Sequence, residues 1–582
     1  MAHEDTLVSW AEDFRIGDAE SVYGLSVAGH FYASSAKYVI RGFYAADGNA
    51  EETSASDGDV WQGRFSPARP GVWQYHAKLR QGHDIAIADS TDVGHAVALE
   101  DSTGSFEVQA TPIHQADSVD FRNRGKLIAD GGYFRFGPTG SRWLKGGSDS
   151  PENLLAYADF DGTFRMAVEE SDDEATPSEA LHSYEAHVGH WNDGDPVWQT
   201  GKGKGLIGAV NYLSSTGLNA VYFLTMNIGG DGKDVWPYLR PDDFTRFDCS
   251  KLDQWEIVLE HMQRRGVMLH VVTQETENER MLDDGETGRL RRIYYRELIA
   301  RFAHHPALVW NLGEENGPAE FSPNGQTARQ QESMATYLKA SDPYHHPVVI
   351  HTHSTPGGRD EVLPPLLGHQ PLDGLSFQVN EPQAVHREVI RWRQLSAKVD
   401  RPWLIGMDEI GPWHTGAVPD VNDPQRDSLR HHVLWGSLMA GSCGVEWYFG
   451  AKFPHNDLTS EDWRQRASLW RQTNHALDFF ERNIPYWEMQ PADNLTTTPN
   501  TYCFAKENQT YVLYVPGGTL AASQELTLDI PAAKSFRVTW YDPVLGGALV
   551  PGTVTQVTGA AGTQLGKPPR DLERDWVVLV RE

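Results

Sequence analysis

The feature that most constrains this chain is its hydrophobic period between about residues 121 and 480. Short apolar runs alternate there with longer segments of helical period, the signature of repeated βα units. SRWLKGGSDS reads as a first strand and its loop. GLIGAVNYLSSTG reads as a helix closed by Gly217, with NAVYFLTMN as the next strand. WEIVLEHMQRRG leads to VMLHVVTQ, and RRIYYRELIARFAHH to ALVWNL. A helix near QESMATYLKASD precedes PVVIHTH, and LDGLSFQVN follows. EVIRWRQLSAKV leads to PWLIGMDEIG, and LRHHVLWGSLMAG to GVEWYFG. The eight strands are apolar throughout, as burial on both faces requires. Eight such units predict a (β/α)8 TIM barrel with enlarged loops; an open doubly wound sheet is the alternative.

The texture differs on either side. Residues 1–112 carry alternating runs such as KYVIRGFY and GVWQYHAKL broken by turn clusters, which reads as a β-sandwich with Trp73 and Tyr75 on its core face. Alternation returns in TYCFAK, TYVLYV, SFRVTWYD and DWVVLV, so 487–582 reads as a second sandwich. The expected class is α/β: a barrel over 113–486 flanked by two β-sandwich domains. Its longest insertion, 157–198, holds the acidic run EESDDEATPSEA, which reads as a solvated face.

With 582 residues the chain is too long for one ordinary core. Its 40% hydrophobic and 22% charged residues exclude disorder. No window approaches a membrane-spanning apolar run, so no membrane partner is expected. Eighty acidic against 50 basic residues give a formal charge of -30, which repels phosphate backbones and argues against nucleic acid. Cys249, Cys443 and Cys503 form neither a disulfide framework nor a zinc motif. The start, MAHEDTLVSWAEDF, has no leader pattern, which fits an intracellular protein or a mature chain whose leader has been removed. Gly203, Gly205 and Gly208 match G-x-G-x-x-G without the preceding strand that nucleotide binding needs, and neither H-E-x-x-H nor G-x-S-x-G occurs.

A barrel of this kind carries its site at the carboxyl ends of its strands. The fourth strand ends in WNLGEENG, with Glu314 and Glu315 after the turn. The seventh ends in GMDEIG, with Asp408 and Glu409 at the same rim. Strands four and seven face each other, so two of these carboxylates can flank a glycosidic bond, one as proton donor and one as nucleophile or stabiliser. The bland reading of these acids is helix capping, which suits Asp408 best.

These strand ends carry a resemblance. WNLGEENG resembles the WSLGNES type of fourth-strand ending in clan A glycoside hydrolases, where the Glu before the last small polar residue is the acid/base; that position is Glu315. PWLIGMDEIG resembles the seventh-strand ending of the same clan, where a Glu two residues before a Gly is the nucleophile; that position is Glu409, with Gly411 after it. The clan has Asn where this chain has Glu314, which leaves Glu314 as an alternative proton donor or a substrate contact. The flanking sandwiches are similar to those of bacterial barrel hydrolases with an N-terminal domain of unknown function and a C-terminal domain called collagen-binding. The resemblance implies a retaining glycosidase acting on a poly- or oligosaccharide, with no cofactor and no metal. A non-catalytic carbohydrate- or matrix-binding protein, with the barrel as scaffold, is the alternative; a lyase or isomerase is a third.

Other strand ends offer sugar contacts. Trp447 on strand eight resembles the clan's platform Trp, against ordinary barrel packing. His351 and His353 end strand five and either bond a hydroxyl or assist a carboxylate. Gln378, Asn227 and Gln274 end strands six, two and three, with a satisfied buried amide as the bland reading for each. Asp149 follows strand one as a contact or an N-cap. Arg142, Lys145 and Lys233 lie near strand-end loops and can line a cleft.

Overall fold

The computed structural model describes residues 6–11, 25–33, 36–90, 92–99, 102–109, 118–166, 181–320, 322–351, 353–520 and 525–582, the first two as backbone strands only. The acidic run of the longest insertion, at 169–180, lies outside the described residues, as does the expected first boundary near 112.

Eight parallel strands close into a barrel: β1 (Lys145–Ser148), β2 (Ala220–Leu224), β3 (Met268–Val272), β4 (Leu308–Asn311), β5 (Val348–His351), β6 (Gly374–Val379), β7 (Leu404–Ile410) and β8 (Gly444–Trp447). Each pairs in parallel with the next, and β8 pairs with β1 through Lys145↔Gly444 to Ser148↔Trp447. Every residue of these strands is buried, the consequence of a side-chain-filled interior and a helical jacket. The jacket is α1 (Lys204–Ser215), α2 (Cys249–Arg264), α3 (Arg289–Phe302), α4 (Ala328–Ser341), α5 (Pro356–Val362), α6 (Val385–Lys398), α7 (residues 429–439, opening as a π-helix) and α8 (Ala467–Asn483). Local chemistry sets their starts. The Asp248 carboxylate accepts from the backbone N–H of Lys251 ahead of α2, and Thr327 and Gln330 form a capping box at α4.

The segment read as one first strand is two pieces. Arg142–Trp143 pairs antiparallel with Tyr133–Phe136, part of a three-stranded sheet with Leu127–Asp130, and the barrel begins at Lys145. This sheet lies at the amino end of the barrel, where the N–H of Leu127 donates to the carbonyl of Pro306 ahead of β4. Arg142 therefore sits at the end opposite the strand-end loops, 2.9 Å from Asp130, and lines no cleft there.

Antiparallel sheets flank the barrel. On the N-terminal side Thr6–Ala11, Val60–Phe65 and Phe43–Tyr44 form one sheet, and Ala36–Arg41, Leu25–Ala33, Gly71–Gln81, His95–Val97 and Thr103–Val108 another. Trp73 is fully buried against Tyr38 and Phe65, as its place on the inward face requires. On the C-terminal side a six-stranded sheet runs in the order Gln490–Pro491, Tyr502–Lys506, Thr510–Val515, Trp576–Arg581, Ser535–Tyr541, Gln556–Thr558; Thr527–Leu528 pairs with Thr563–Gln564 beside it. Arg430 of α7 ties this unit to the barrel through Asp575 at 2.7 Å.

Candidate active site

The interior of the barrel below the mouth is charged. Lys145 on β1 points inward, and its ammonium lies 2.6 Å from Asp408 on β7 and 2.7 Å from Glu446 on β8. Glu446 also contacts His270 Nδ1 at 2.7 Å, and the other ring nitrogen lies 3.1 Å from the Asn311 amide. All five side chains are buried. Burial alone would raise the Glu446 carboxyl, but Lys145 and His270 outweigh it and hold it down to about 2. Asp408 is thus the partner of a buried lysine, not a helix cap, and Lys145 is core rather than cleft.

Asp408 and Glu409 are adjacent, yet both point inside the barrel. The cause is a β-bulge: Phe377 pairs with Met407 and Gln378 with Glu409, leaving Asp408 as an extra residue on β7. Strict alternation would send one of the two acids into the helical layer. The bulge leaves Asp408 to Lys145 and lifts Glu409 to the mouth.

At the mouth the Gln378 amide donates to Oε1 of Glu409, and Oε2 stands 3.1 Å from His351 Nε2. The other nitrogen of His351 faces the hydroxyls of Ser376 (3.3 Å) and Tyr222 (3.4 Å). Burial pulls the His351 pKa down to about 4, so the ring is neutral near pH 7. Across the mouth, Glu314 Oε2 accepts from Thr276 Oγ1 at 2.8 Å, and one carboxyl oxygen each from Glu314 and Glu409 and a ring nitrogen of His351 lie within 4.8 Å of one another. Glu315 takes a left-handed backbone, φ 37°, a strained setting for a non-glycine residue, and its Oε2 stands 3.9 Å from His353 Nδ1. The other His353 nitrogen lies 3.1 Å from the Gly317 carbonyl.

Burial and the Glu315 charge push Glu409 well above the usual carboxylate range. Burial, then the charges of Glu315 and Glu409, push Glu314 up as well. Burial pushes Glu315 up too, but the neighbouring His353 outweighs it and holds Glu315 low. Asp149, 2% exposed at the end of β1, feels burial first and the Glu409 charge next, and it too is raised.

The mouth therefore brings together Glu314, Glu315, Glu409, His351, His353, Gln378 and Asp149. Three other expected contacts are absent from it. Trp447 is 0% exposed, and its indole N–H donates to Thr473 of α8 at 3.0 Å. It pairs in register with Ser148, on the face of β1 where Gly146 abuts Thr473 and Leu477; Glu446 takes the inward place, so Trp447 is barrel packing rather than a sugar platform. Asn227 accepts from the N–H groups of Asp234 and Val235 and donates to the Asp234 carboxylate, pinning the loop after β2. Gln274 donates to Gln326 and accepts from Arg291, so its amide is also spent inside the protein. Trp447→Phe is expected to cost about 1–2 kcal/mol of stability through the lost hydrogen bond and smaller ring, with substrate KM unchanged, as urea denaturation and steady-state kinetics would read.

The mouth also holds groups that strand-end reading missed. Tyr222 reaches it from within β2, where no strand-end signal exists. Tyr448, one residue past Trp447, donates its hydroxyl to the Trp413 carbonyl at 2.8 Å, and burial with the charges of Asp457, Glu409 and Glu152 drives that hydroxyl far above its usual range. Trp413, 53% exposed in the loop after β7, places an aromatic face at the rim. Asp457, from the loop after β8, accepts from Ser150 and from the Glu152 N–H, and burial lifts it to about 6.

Glu314, His351 and Glu409 offer ligand atoms that a metal ion can bridge. Two further sets already contain a cation of the protein's own. His270, Asp408 and Glu446 surround the Lys145 ammonium, and Glu256, His304 and His305 have Arg64 3.5 Å from Glu256.

A closed eight-stranded parallel barrel with a helical jacket and flanking antiparallel sheets is a TIM barrel with added β domains. No family model matches the chain, and no curated protein matches it in sequence. Solved structures share its fold. A provisional glycoside hydrolase of Bacteroides vulgatus superposes with TM-score 0.61 at 14% identity, over 100% of this chain and 98% of its own. A glycoside hydrolase family 5 protein of the same species gives 0.53 at 15% identity, over 79% of this chain and 94% of its own. A further glycoside hydrolase gives 0.52 at 13%, over 79% and 97%.

Proposed function

We propose that the protein is a retaining glycoside hydrolase in which Glu409 is the nucleophile and Glu315 the acid/base. The observation that carries this reading is the facing of carboxylates from β4 and β7 across one mouth, with Gln378 and His351 orienting Glu409. A carboxylate attacking the anomeric carbon must aim one lone pair, and the Gln378 N–H fixes the carboxyl plane for that. Glu409 attacks and displaces the aglycone oxygen, Glu315 protonates it, and Glu315 then takes a proton from the water that hydrolyses the glycosyl ester. His353 favours the charged form of Glu315, while burial and the Glu315 charge favour the neutral form of Glu409. The assigned roles need the reverse order once sugar is bound, with the proton on Glu315 and the charge on Glu409.

The test begins with a panel of glucans, galactans and mannans, scored for new reducing ends and for the anomer first formed. Retention supports the reading; binding without release, or first-formed inverted product, overturns it. The roles then separate by leaving group. Glu315→Ala is expected to lose on the order of 10²–10⁴-fold on polysaccharide but far less on a dinitrophenyl glycoside, whose leaving group needs no proton. Glu314 has a carboxyl oxygen within 4.8 Å of both His351 and Glu409, and burial with the charges of Glu315 and Glu409 favours its neutral form, which makes it the competing donor. If Glu314→Ala rather than Glu315→Ala shows this split, the donor role moves by one residue.

A further inference from the structure

Three sets of histidine and carboxylate side chains among the described residues bring one ligand atom each within 4.8 Å of the others. Two of these sets adjoin a cation of the protein, Lys145 in one and Arg64 in the other. The third, Glu314, His351 and Glu409 at the mouth, does not. Among the described residues no lysine or arginine pairs with either of its carboxylates.

Its arrangement is that of ligands waiting for an ion. His351 is 0% exposed, and its Nε2 makes no hydrogen bond although Oε2 of Glu409 stands 3.1 Å away. The hydroxyls of Ser376 and Tyr222 face Nδ1, so the ring proton has acceptors on that side and Nε2 keeps its lone pair for the mouth. A ring lone pair and a carboxylate oxygen facing each other need a proton or a cation between them. The far side of each carboxylate is held as well. Gln378 donates to Oε1 of Glu409 and leaves Oε2 to the gap, and Thr276 holds one oxygen of Glu314 at 2.8 Å. Supporting hydrogen bonds of this kind fix the direction of metal ligands.

We infer that the mouth binds a zinc ion through Glu314, His351 and Glu409, and that the bound ion holds the enzyme inactive. The inhibition rests on the glycosidase reading; the binding does not. Zinc takes imidazole nitrogen and carboxylate oxygen at roughly 2.0–2.2 Å, which sets such ligands about 3.3–3.6 Å apart. His351 and Glu409 are already close to that spacing, and Glu314, which is partly exposed, closes the remaining gap by a side-chain rotation. Three protein ligands leave a fourth position open to water from the cleft. Burial and neighbouring acids disfavour charge on Glu409 and on Glu314, and a divalent ion between them relieves the repulsion. The imidazole donor selects zinc over magnesium and calcium, which take oxygen ligands. With Oε2 of Glu409 on the ion, the nucleophile cannot reach an anomeric carbon.

The experiment is calorimetric titration of ZnCl2, MgCl2 and CaCl2 into the full chain, first stripped with a chelator that is then removed. One zinc ion per chain is expected, with a dissociation constant of about 10 μM or lower, and magnesium and calcium should bind at least about 100-fold more weakly. His351→Ala should weaken zinc about tenfold or more. Glu314→Gln, at the partly exposed ligand, should do the same and guards against a variant that fails to fold. His304→Ala, in the set beside Arg64, should leave zinc affinity unchanged. Zinc affinity that survives both mouth variants overturns the inference, as does a loss confined to His304→Ala or calcium binding as tight as zinc. Reducing-end assays separate the two proposals. Zinc binding without hydrolysis of any polysaccharide sinks the glycosidase and leaves the metal site, while hydrolysis that persists at saturating zinc overturns the inhibition.

Discussion

Glu409→Gln is expected to lower sugar release by about 10⁴-fold or more while the protein stays folded. The substitution keeps the shape of the side chain and its acceptor towards the Gln378 amide. Its new NH2 faces His351 Nε2, which accepts it if the ring proton moves to Nδ1, opposite the rotatable hydroxyls of Ser376 and Tyr222. Because His351 is neutral near pH 7, that change needs only a tautomer shift. The substitution also removes a group whose ionisation burial and Glu315 oppose, so the thermal midpoint should hold or rise. Reducing-end assays and a melting curve on the same sample check both halves; wild-type turnover in this variant would sink the nucleophile assignment.

Lys145→Met is the second large expectation, and it concerns folding. Asp408 and Glu446 both lean on one ammonium inside the barrel, and its loss leaves two carboxyls in a dry interior with only His270 near one of them. Breaking a buried ion pair in this way costs about 3–5 kcal/mol. The triple variant Lys145→Met, Asp408→Asn, Glu446→Gln should recover part of that loss, since it removes the uncompensated charges as well as the cation. Urea midpoints of the single and triple variants decide the point. A single variant as stable as wild type would mean that the three-way contact contributes nothing.

The barrel was legible because its strands are buried on both faces, so their apolar runs stand out from the helical segments without any long-range knowledge. The carboxylates of β4 and β7 were legible for the same reason: a polar residue ending an apolar run in such a barrel stands at the mouth. That rule carries no information on side-chain direction within the last two residues. Trp447 and Glu446 differ by one step along β8, and only the register with β1 decides which of them faces the helices. Asn227 and Gln274 end their strands as expected, but Asp234 and Arg291, from the loop after β2 and from α3, had already claimed their amides. Tyr222 and Asp457 reach the mouth from a strand interior and from a loop, where period and spacing say nothing. The split of the first strand around Leu144 was hidden because Arg142–Trp143 and Lys145–Ser148 are each too short to show a period of their own.

The bulge on β7 ties two tasks to a single count of residues. Asp408 secures the lysine in the barrel's centre and Glu409 serves the mouth, and both owe their direction to one amino acid more than the neighbouring strand has. Deleting or inserting one residue here would cost the barrel its internal ion pair and the mouth its central acid together. Chains descended from this one can therefore exchange loops around the rim with far more freedom than they can change the length of this strand.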